Sequence, residues 1–512
     1  MMLADQYQAA TSIKMLLKDF VAQDLLDECE DVQIHGLSVD SRKIRASDLF
    51  FACQGEVAHG ITFADVAISK GAVAVLWDEC EHCDDTLEKI SQQVTCLQCE
   101  NLKMKIGEIA DRFYQYPSAQ LKVTGVTGTN GKTSVSHFIA QCLDGTDKRC
   151  GILGTLGNGF PGDLKKTGLT TADAIAVHHD LEGLRANNAA YVVMEVSSHG
   201  LDQGRVNGVL FDSAVFTNLS QDHLDYHETL EAYAEVKKKL FFMPGLNKAV
   251  INLDDDYGRV LARECKGRIL VWGFSTSSKF DNWHEYADYF VQAKNIKTVA
   301  RGFEVALNTP QGEGDLSIPL LGEFNVSNVL AVLSILLINE MPLELALKKL
   351  SVVVPVSGRM EVIAESDRPV VVVDFAHTPS ALEEACKAVR KHFEGQLWCV
   401  FGCGGDRDRS KRPMMAMAAQ HYADNVIVTS DNPRSENPQD IIDEIVAGFN
   451  TGAKFKVIVD RRDAIAYAIE QARVGDIILL AGKGHECVQI VGNDTFEFDD
   501  RQVAKHYLGM VQ

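Results

Sequence analysis

The chain has 512 residues, 46% hydrophobic and 24% charged, with a formal net charge of −21. That length exceeds what one core sustains, so roughly two to four domains are expected in a soluble globular protein. The acidic balance repels nucleic acid and anionic lipid, and no apolar run approaches the about 20 residues of a membrane span, so neither nucleic-acid binding nor membrane insertion is expected.

The opening stretch, MMLADQYQAATSIKMLLKDF, lacks a basic segment followed by an apolar core, which points to a cytoplasmic protein. The 13 cysteines, scattered from Cys29 to Cys487, suit reduced thiols better than a disulfide framework. Residues 1–105 form a first block of short strands at 33–38, 49–52 and 72–77, with a helix near 63–70. Within it, Cys80 and Cys83, then Cys96 and Cys99, with His82 between the first two, could supply zinc ligands. Neither pair carries the glycine that commonly follows a zinc knuckle, and 84–95 reads as a helix leading into a strand. Ordinary thiols are the expectation.

The second block, 106–352, opens with a strand at 121–126, then Gly125-Val126-Thr127-Gly128-Thr129-Asn130-Gly131-Lys132-Thr133, then an apolar-periodic helix at 134–143. Strand, glycine loop, helix is the context of a phosphate loop. Its glycines let backbone N–H groups face phosphate oxygens, and the helix N-terminus adds positive potential. Lys132 would reach the β/γ-phosphates and Thr133 would hold Mg²⁺. The strict pattern is broken at Val126, where it wants glycine. Further strands are expected at 191–196, 213–218, 249–252 and 268–271. The first runs into Glu195, a carboxylate at a strand end beside the loop, where a nucleotide metal needs a protein oxygen. Residues 217–227 and the lysines Lys237, Lys238 and Lys239 fit a polar loop and solvated helix face as readily as a site. A glycine turn and a long amphipathic helix are expected over 320–337, where Asn325 could simply cap the helix.

The third block, 353–512, alternates strands at 370–375, 397–401, 425–430, 454–459 and 476–481 with helices, which implies a parallel sheet covered on both faces. Ligands in such folds bind beyond the carboxyl ends of strands. Three strand-ending turns fall there: Gly402 to Asp408, Asp431-Asn432-Pro433-Arg434, and Gly482-Lys483-Gly484-His485-Glu486. Arginines fork onto carboxylates, and a glutamate receives an ammonium, so this mixture suits an amino acid carrying both groups at both ends. The expected fold is α/β in three domains. A small mixed N-terminal domain precedes a central P-loop-type domain with a mostly parallel sheet and helices on both faces, then a C-terminal Rossmann-like domain.

The loop resembles the ATP loop of the Mur ligases and their folylpolyglutamate synthetase relatives. Glu195 to Leu201, Thr217-Asn218-Leu219, Asp222-His223-Leu224-Asp225-Tyr226-His227 and the later lysine are similar in order and spacing to that family's central domain. The resemblance covers nearly the full length, strongest over 121–240 and 355–490. It implies an ATP-dependent amide ligase of peptidoglycan precursor synthesis, with ATP on Gly125, Thr127, Gly128, Thr129, Asn130, Gly131, Lys132 and Thr133. Asn325 would contact adenine, and Arg359, Asp374 and His377 would lie near phosphates and ribose. Mg²⁺ would be held by Thr133, Glu195, His223 and Lys237 as a carbamate (N-carboxylysine), and Lys132, Glu195, His223 and Lys237 would be catalytic. Lys238 and Lys239 compete with Lys237 for the carbamate, since helix phase directs only one lysine to the site.

The same resemblance assigns a UDP-muramoyl dipeptide to Val39, Ser41, Glu56, Val57, Ala58, Thr170, Thr171, Ser197, Gln203 and Arg205. The Asp431-Asn432-Pro433-Arg434 tetrad resembles the recognition motif of family members that add meso-diaminopimelate, and lysine-adding relatives lack the arginine. Arg434 would therefore meet the distal carboxylate, with Arg407, Gly482 and Glu486 completing the pocket. A monomer is expected. A different amide ligase of the superfamily, or a non-catalytic binding homologue, are the alternatives; intact Lys132, Glu195, His223 and Lys237 argue against the latter.

Overall fold

The computed structural model describes residues 10–510 except 56–57, 81–82, 146–147 and 300–301. Two compact units emerge, one ending at Gly273 and taking in His284–Asp288, the other comprising Phe274–Trp283 and the chain from Tyr289.

The first unit begins with a four-stranded parallel sheet, β1 (Gly36–Ser38), β2 (Asp48–Ala52), β3 (Ala74–Trp77) and β4 (Thr95–Gln98), in that order. β2 is buried at every position, as a strand covered on both faces must be. One face packs with the helices Ile13–Leu17 and Leu102–Phe113, the other with Ala64–Ser69 and Asp84–Ser91. The strand expected at 33–38 is split, because Gln33–Ile34 pairs with Thr11–Ser12 instead. Alternation along β4 sends Cys96 to one core and Leu97 and Cys99 to the other, so four thiols do not converge. The expectation of reduced thiols fails at Cys80 and Cys83, which form a disulfide with Cα atoms 5.8 Å apart. His59 lies within 4.8 Å of both sulfurs. Its Nδ1 accepts from the Ile61 N–H at 3.1 Å, which puts the ring proton on Nε2 and leaves no lone pair there for a metal. His82 lies outside the described residues.

The larger sheet of this unit contains β5 (Lys122–Thr127), β6 (Arg149–Gly154), β7 (Gly157–Phe160), β8 (Asp163–Lys165), β9 (Ala189–Glu195), β10 (Ser213–Phe216), β11 (Lys248–Asn252) and β12 (Leu270–Ser275). They run in the order β8-β7-β6-β9-β5-β10-β11-β12. β6, β9, β5, β10 and β11 are parallel, β7 is antiparallel to β6 and β8 antiparallel to β7, so the sheet is mixed. Its register aligns Glu195 with Val126 and Phe216 with Thr127, which brings three motif-bearing strand ends side by side.

In the second unit, β13 (Tyr289–Val299), β14 (Gly302–Thr309) and β15 (Gly312–Ile318) form an antiparallel meander. The helix expected to be amphipathic, Glu323–Ile338, is instead buried on all sides from Asn328 onward, the pattern of a core helix. Next comes a six-stranded sheet of β16 (Glu361–Ile363), β17 (Val370–Asp374), β18 (Leu397–Phe401), β19 (Asn425–Val428), β20 (Phe455–Val457) and β21 (Ile477–Ala481). Its order is β16-β17-β21-β18-β19-β20, parallel except for β16. Val372, Leu479 and Cys399 enter the core on one face, and Val371, Val373, Ile478 and Leu480 enter that on the other. A hairpin, β22 (Val488–Val491) and β23 (Asp494–Glu497), follows. Among the described residues no helix is long and apolar enough to cross a membrane.

The second face is pinned by an ion pair. Arg461 donates to both Asp500 oxygens at 2.8 and 2.7 Å and to the Ala481 carbonyl at 2.9 Å, with both side chains fully buried. Removing one partner strands a buried charge, which costs about 3–5 kcal/mol. Asp500→Ala is therefore expected to lower stability by that amount in urea unfolding; a loss below about 1 kcal/mol contradicts this role.

Candidate active site

The first unit places the phosphate loop at the end of the central strand β5. Gly128 (φ +144°) and Gly131 (φ +87°) occupy backbone conformations that other residues rarely adopt. A Cβ on Gly128 would also collide with the Thr217 hydroxyl. The helix Lys132–Leu143 starts directly after Gly131. The segment after β10 clamps the loop. The Thr217 hydroxyl donates to the Asn130 carbonyl at 2.6 Å, the Asn130 N–H to Asn218 Oδ1 at 2.9 Å, and the Thr129 N–H to the Asn218 carbonyl at 2.8 Å. The loop is thus preorganised by backbone and side chain together.

Two lysines meet on one carbonyl. Lys132 Nζ donates to the Gly128 carbonyl at 2.8 Å and to that of Thr129 at 2.9 Å; Lys237 Nζ donates to the same Gly128 oxygen at 3.0 Å. Lys237 is only 1% exposed. It lies in the helix Leu230–Lys238 on the face shared with Tyr233, whose ring is 4.3 Å from its Nζ. Burial, reinforced by the Lys132 charge and opposed by Asp222, holds this amine well below the usual lysine range. Its neighbours differ: Lys238 pairs with Glu264 and Glu235, and Lys239 with Asp202.

Glu195 ends β9 fully buried. Its Oε2 accepts from the Thr133 hydroxyl at 2.8 Å and the Thr155 hydroxyl at 3.0 Å, and its Oε1 accepts from the Thr155 N–H at 2.9 Å. The loop threonine and the strand-end carboxylate are therefore in direct contact, an arrangement of hard oxygen donors suited to a small divalent cation. Thr155 was not singled out in the sequence, since it sits in a glycine-rich stretch that reads as loop. His223 adopts φ +53° and is half-exposed, with its ring beside Asp222, 4.9 Å from His199 and 6.3 Å from Tyr233.

Thr170, Thr171, Ser197, Gln203 and Arg205 form one network continuous with this centre. Thr171 donates to the Glu195 carbonyl at 2.9 Å and accepts from the Ser197 N–H at 3.0 Å. Arg205 donates to the Thr171 carbonyl and to Gln203, while the Thr170 hydroxyl donates at 3.1 Å to that of Thr155, whose own proton goes to Glu195. In the N-terminal sheet region, Ser41 is buried and Val39 exposed, beside an Asp40 whose carboxyl the Arg42 guanidinium holds down at about 2. Ala58 accepts from the Gly55 N–H; Glu56 and Val57 lie outside the described residues.

In the second unit, the turns after β17, β18, β19 and β21 gather at one sheet edge. Arg434 stands at φ +50° and is kept there by the hairpin, through its N–H to the Ile490 carbonyl at 3.1 Å and the Gly492 N–H to its own carbonyl at 2.7 Å. Its guanidinium donates to the Gly405 carbonyl, and burial and the neighbouring Arg407 both disfavour its charge. The Asp431, Glu486 and Asp406 carboxylates offset this in part, and an anion from a ligand would add to them. Asn432 donates to Glu486 at 2.8 Å, and a Cβ on Gly482 would press within 2.8 Å of Asp431 Oδ2. Asp431 receives the Asn432 N–H, and Pro433 accepts from that of Glu436. Arg412, fully buried, forks onto Glu436 and Glu444 and fixes the base of this loop.

Nearby in the same unit, Asp374 accepts from the Met360 and Ala376 N–H groups, and burial pushes its carboxyl up. Arg359 lies over the Phe375 ring at 4.5 Å, and His377 Nδ1 approaches the Phe375 carbonyl at 2.8 Å. Asn325 is buried. It does not cap its helix but donates to the Leu321 carbonyl and accepts from Asn328.

Three family models match the chain: Mur ligase family, catalytic domain, over residues 33–114; Mur ligase middle domain over 126–336; and Mur ligase, glutamate ligase domain, over 358–484. The chain is 46% identical over 478 residues to a UDP-N-acetylmuramoyl-L-alanyl-D-glutamate–2,6-diaminopimelate ligase of Coxiella burnetii, covering 93% of this chain and 96% of the relative. Its Pseudomonas aeruginosa counterpart is 45% identical over 93% of this chain and 96% of its own length. A solved structure of a ligase of that name superposes with a TM-score of 0.67 at 36% identity, over 95% of this chain and 98% of that one.

The depressed Lys237 amine sets a pH dependence. The unfolded chain holds a proton there up to the ordinary lysine range, whereas the folded chain releases it at lower pH. Its contribution therefore makes stability rise with pH between the two values and is lost as pH falls through the folded one. In CO₂-free buffer, Lys237→Met is expected to flatten that rise relative to the wild type in urea titrations across alkaline pH. Parallel curves contradict a depressed amine.

Proposed function

The chain belongs to the Mur ligase family, and from that premise we propose that it adds meso-diaminopimelate to the D-glutamate of UDP-N-acetylmuramoyl-L-alanyl-D-glutamate, with ATP, in peptidoglycan precursor synthesis. The observation that carries the amino-acid choice is the half-buried Arg434, within the electrostatic reach of Arg407 and Glu486. Two cations receive a distal carboxylate, and the glutamate receives an ammonium. Lysine lacks that carboxylate and would leave the half-buried guanidinium without a substrate anion. Residues 1–105, 106–352 and 353–512 are the proposed domains for UDP-substrate, ATP and amino acid, in a cytoplasmic monomer.

The γ-carboxylate of the substrate attacks the γ-phosphorus of ATP in line. A C–O–P bond forms, the bond to the ADP oxygen breaks, and Lys132 offsets charge on the transferring phosphoryl oxygens. The amine of diaminopimelate then attacks the acyl carbon. The amide forms, phosphate leaves, and the nitrogen gives up its proton. Thr133, Glu195, His223 and a carbamate on Lys237 are the residues that would hold Mg²⁺, which when bound would neutralise phosphate charge. The carbamate arises when the neutral Lys237 amine adds to CO₂ and releases a proton. Among the adjacent lysines, only Lys237 is buried and unpaired with a carboxylate, which favours it over Lys238 and Lys239. Thr170, Thr171, Ser197, Gln203 and Arg205, with Val39, Ser41 and Ala58, would bind the UDP-muramoyl dipeptide.

Phosphate release with each amino acid in turn tests the proposal. Diaminopimelate is expected to support turnover and lysine to fall about 10³-fold short in kcat/KM. Arg434→Ala is expected to lose most diaminopimelate use while still binding ATP; unchanged kcat/KM for diaminopimelate, or efficient use of lysine by the wild type, refutes the pocket.

A further inference from the structure

We infer that Lys483 is a positioning residue for the incoming amino acid: its buried ammonium orients Glu486 and Asn432, so that Glu486 presents one oxygen to an ammonium of diaminopimelate. The inference rests on the proposed amino-acid site. Lys483 is 0% exposed, and its ammonium spends its three hydrogens on Glu486 Oε2 at 2.9 Å, Asn432 Oδ1 at 3.1 Å and the Val488 carbonyl at 2.7 Å. A buried cation satisfied so completely is a fixed point rather than a mobile ligand.

What it fixes follows from counting donors and acceptors. Glu486 Oε2 receives both Lys483 and the Asn432 amide N–H at 2.8 Å, whereas among the described residues no protein donor reaches Oε1. The carboxylate is therefore held by one oxygen and offers the other, on a side chain that is 30% exposed. Asn432 Oδ1 is consumed by Lys483 and by the Ile490 N–H at 3.0 Å. So Asn432 contributes mainly as scaffold, with one amide hydrogen left over. Through Val488 and Ile490 the same unit ties the carboxylate to the hairpin that holds Arg434 in its left-handed conformation. Lys483 thus joins the receiver of the ammonium to the hairpin that holds the receiver of the distal carboxylate.

A steady-state series on the full chain tests this with Lys483→Met, Glu486→Gln and the double variant, recording KM for each of the three substrates. Lys483→Met is expected to raise KM for diaminopimelate about 10–100-fold while KM for ATP and for the UDP-dipeptide stays within about twofold, as for lost ground-state binding. Because Lys483 acts through Glu486, the double variant is expected to be no worse than Glu486→Gln alone. A rise in all three KM values, or strictly multiplicative losses in the double variant, overturns the inference. Unchanged diaminopimelate KM in Glu486→Gln instead sinks the underlying site assignment. Should Lys483→Met fail to fold, Asn432→Ala removes the second donor to Oε2, and the same selective KM rise, absent in the Glu486→Gln background, is required.

Discussion

The Gly128 carbonyl accepts from two lysines, and one of them is buried. Much of the first unit is arranged around that constraint. Burial, and after it repulsion by the Lys132 ammonium, drive the Lys237 amine toward its neutral form. Neutrality changes its chemistry, because a free amine is a nucleophile toward CO₂ whereas an ammonium is not. Gly128 also leaves room for the Thr217 hydroxyl, which clamps the loop that carries this carbonyl. The helix Leu230–Lys238 delivers Lys237 on the same face as Tyr233, which keeps solvent away.

The second unit uses crowding of the same kind. Burial and then the neighbouring Arg407 disfavour the Arg434 charge, and Arg434 keeps a left-handed backbone that the hairpin's hydrogen bonds maintain. In a chain of net charge −21, an acidic substrate finds no attractive long-range field. Capture must come from local cations held in place by neutral scaffolding, and the Lys483–Asn432–Glu486 and Arg412–Glu436–Glu444 networks supply it. Lys483 balances Glu486, and Arg409 joins Arg412 in balancing Glu436 and Glu444, so these networks support the pocket without cancelling its arginines.

The alternating strand–helix units of the last block and the phosphate loop were legible in the sequence because hydrophobic runs of five or six residues, bounded by turn residues, have few other outcomes. The structure brings Thr133 onto Glu195 and Lys132 and Lys237 onto one carbonyl, contacts that motif order alone does not fix. β6 to β8 escaped notice because Gly151, Gly154, Gly157, Gly159 and Gly162 make that stretch read as loop. The β13–β15 meander is polar on its outer face and mimics a surface segment. Glu323–Ile338 reads as amphipathic in sequence because its polar residues, Asn325, Asn328 and Ser334, are buried with the rest through local bonds: Asn325 to the preceding Leu321 carbonyl, Asn328 to Asn325, and Ser334 to the Leu330 carbonyl. Lys483 passed for a turn residue because nothing local reveals that Val488 and Asn432 fold over it.

The state of the Lys237 nitrogen is the point on which the chemistry turns, and ¹³C NMR of the enzyme equilibrated with ¹³C-bicarbonate reads it directly. A carbamate resonance is expected in the wild type, absent in Lys237→Arg, and lost together with ligase activity when CO₂ is stripped from the buffer. No Lys237-dependent resonance, with full activity in CO₂-free buffer, would contradict the assignment.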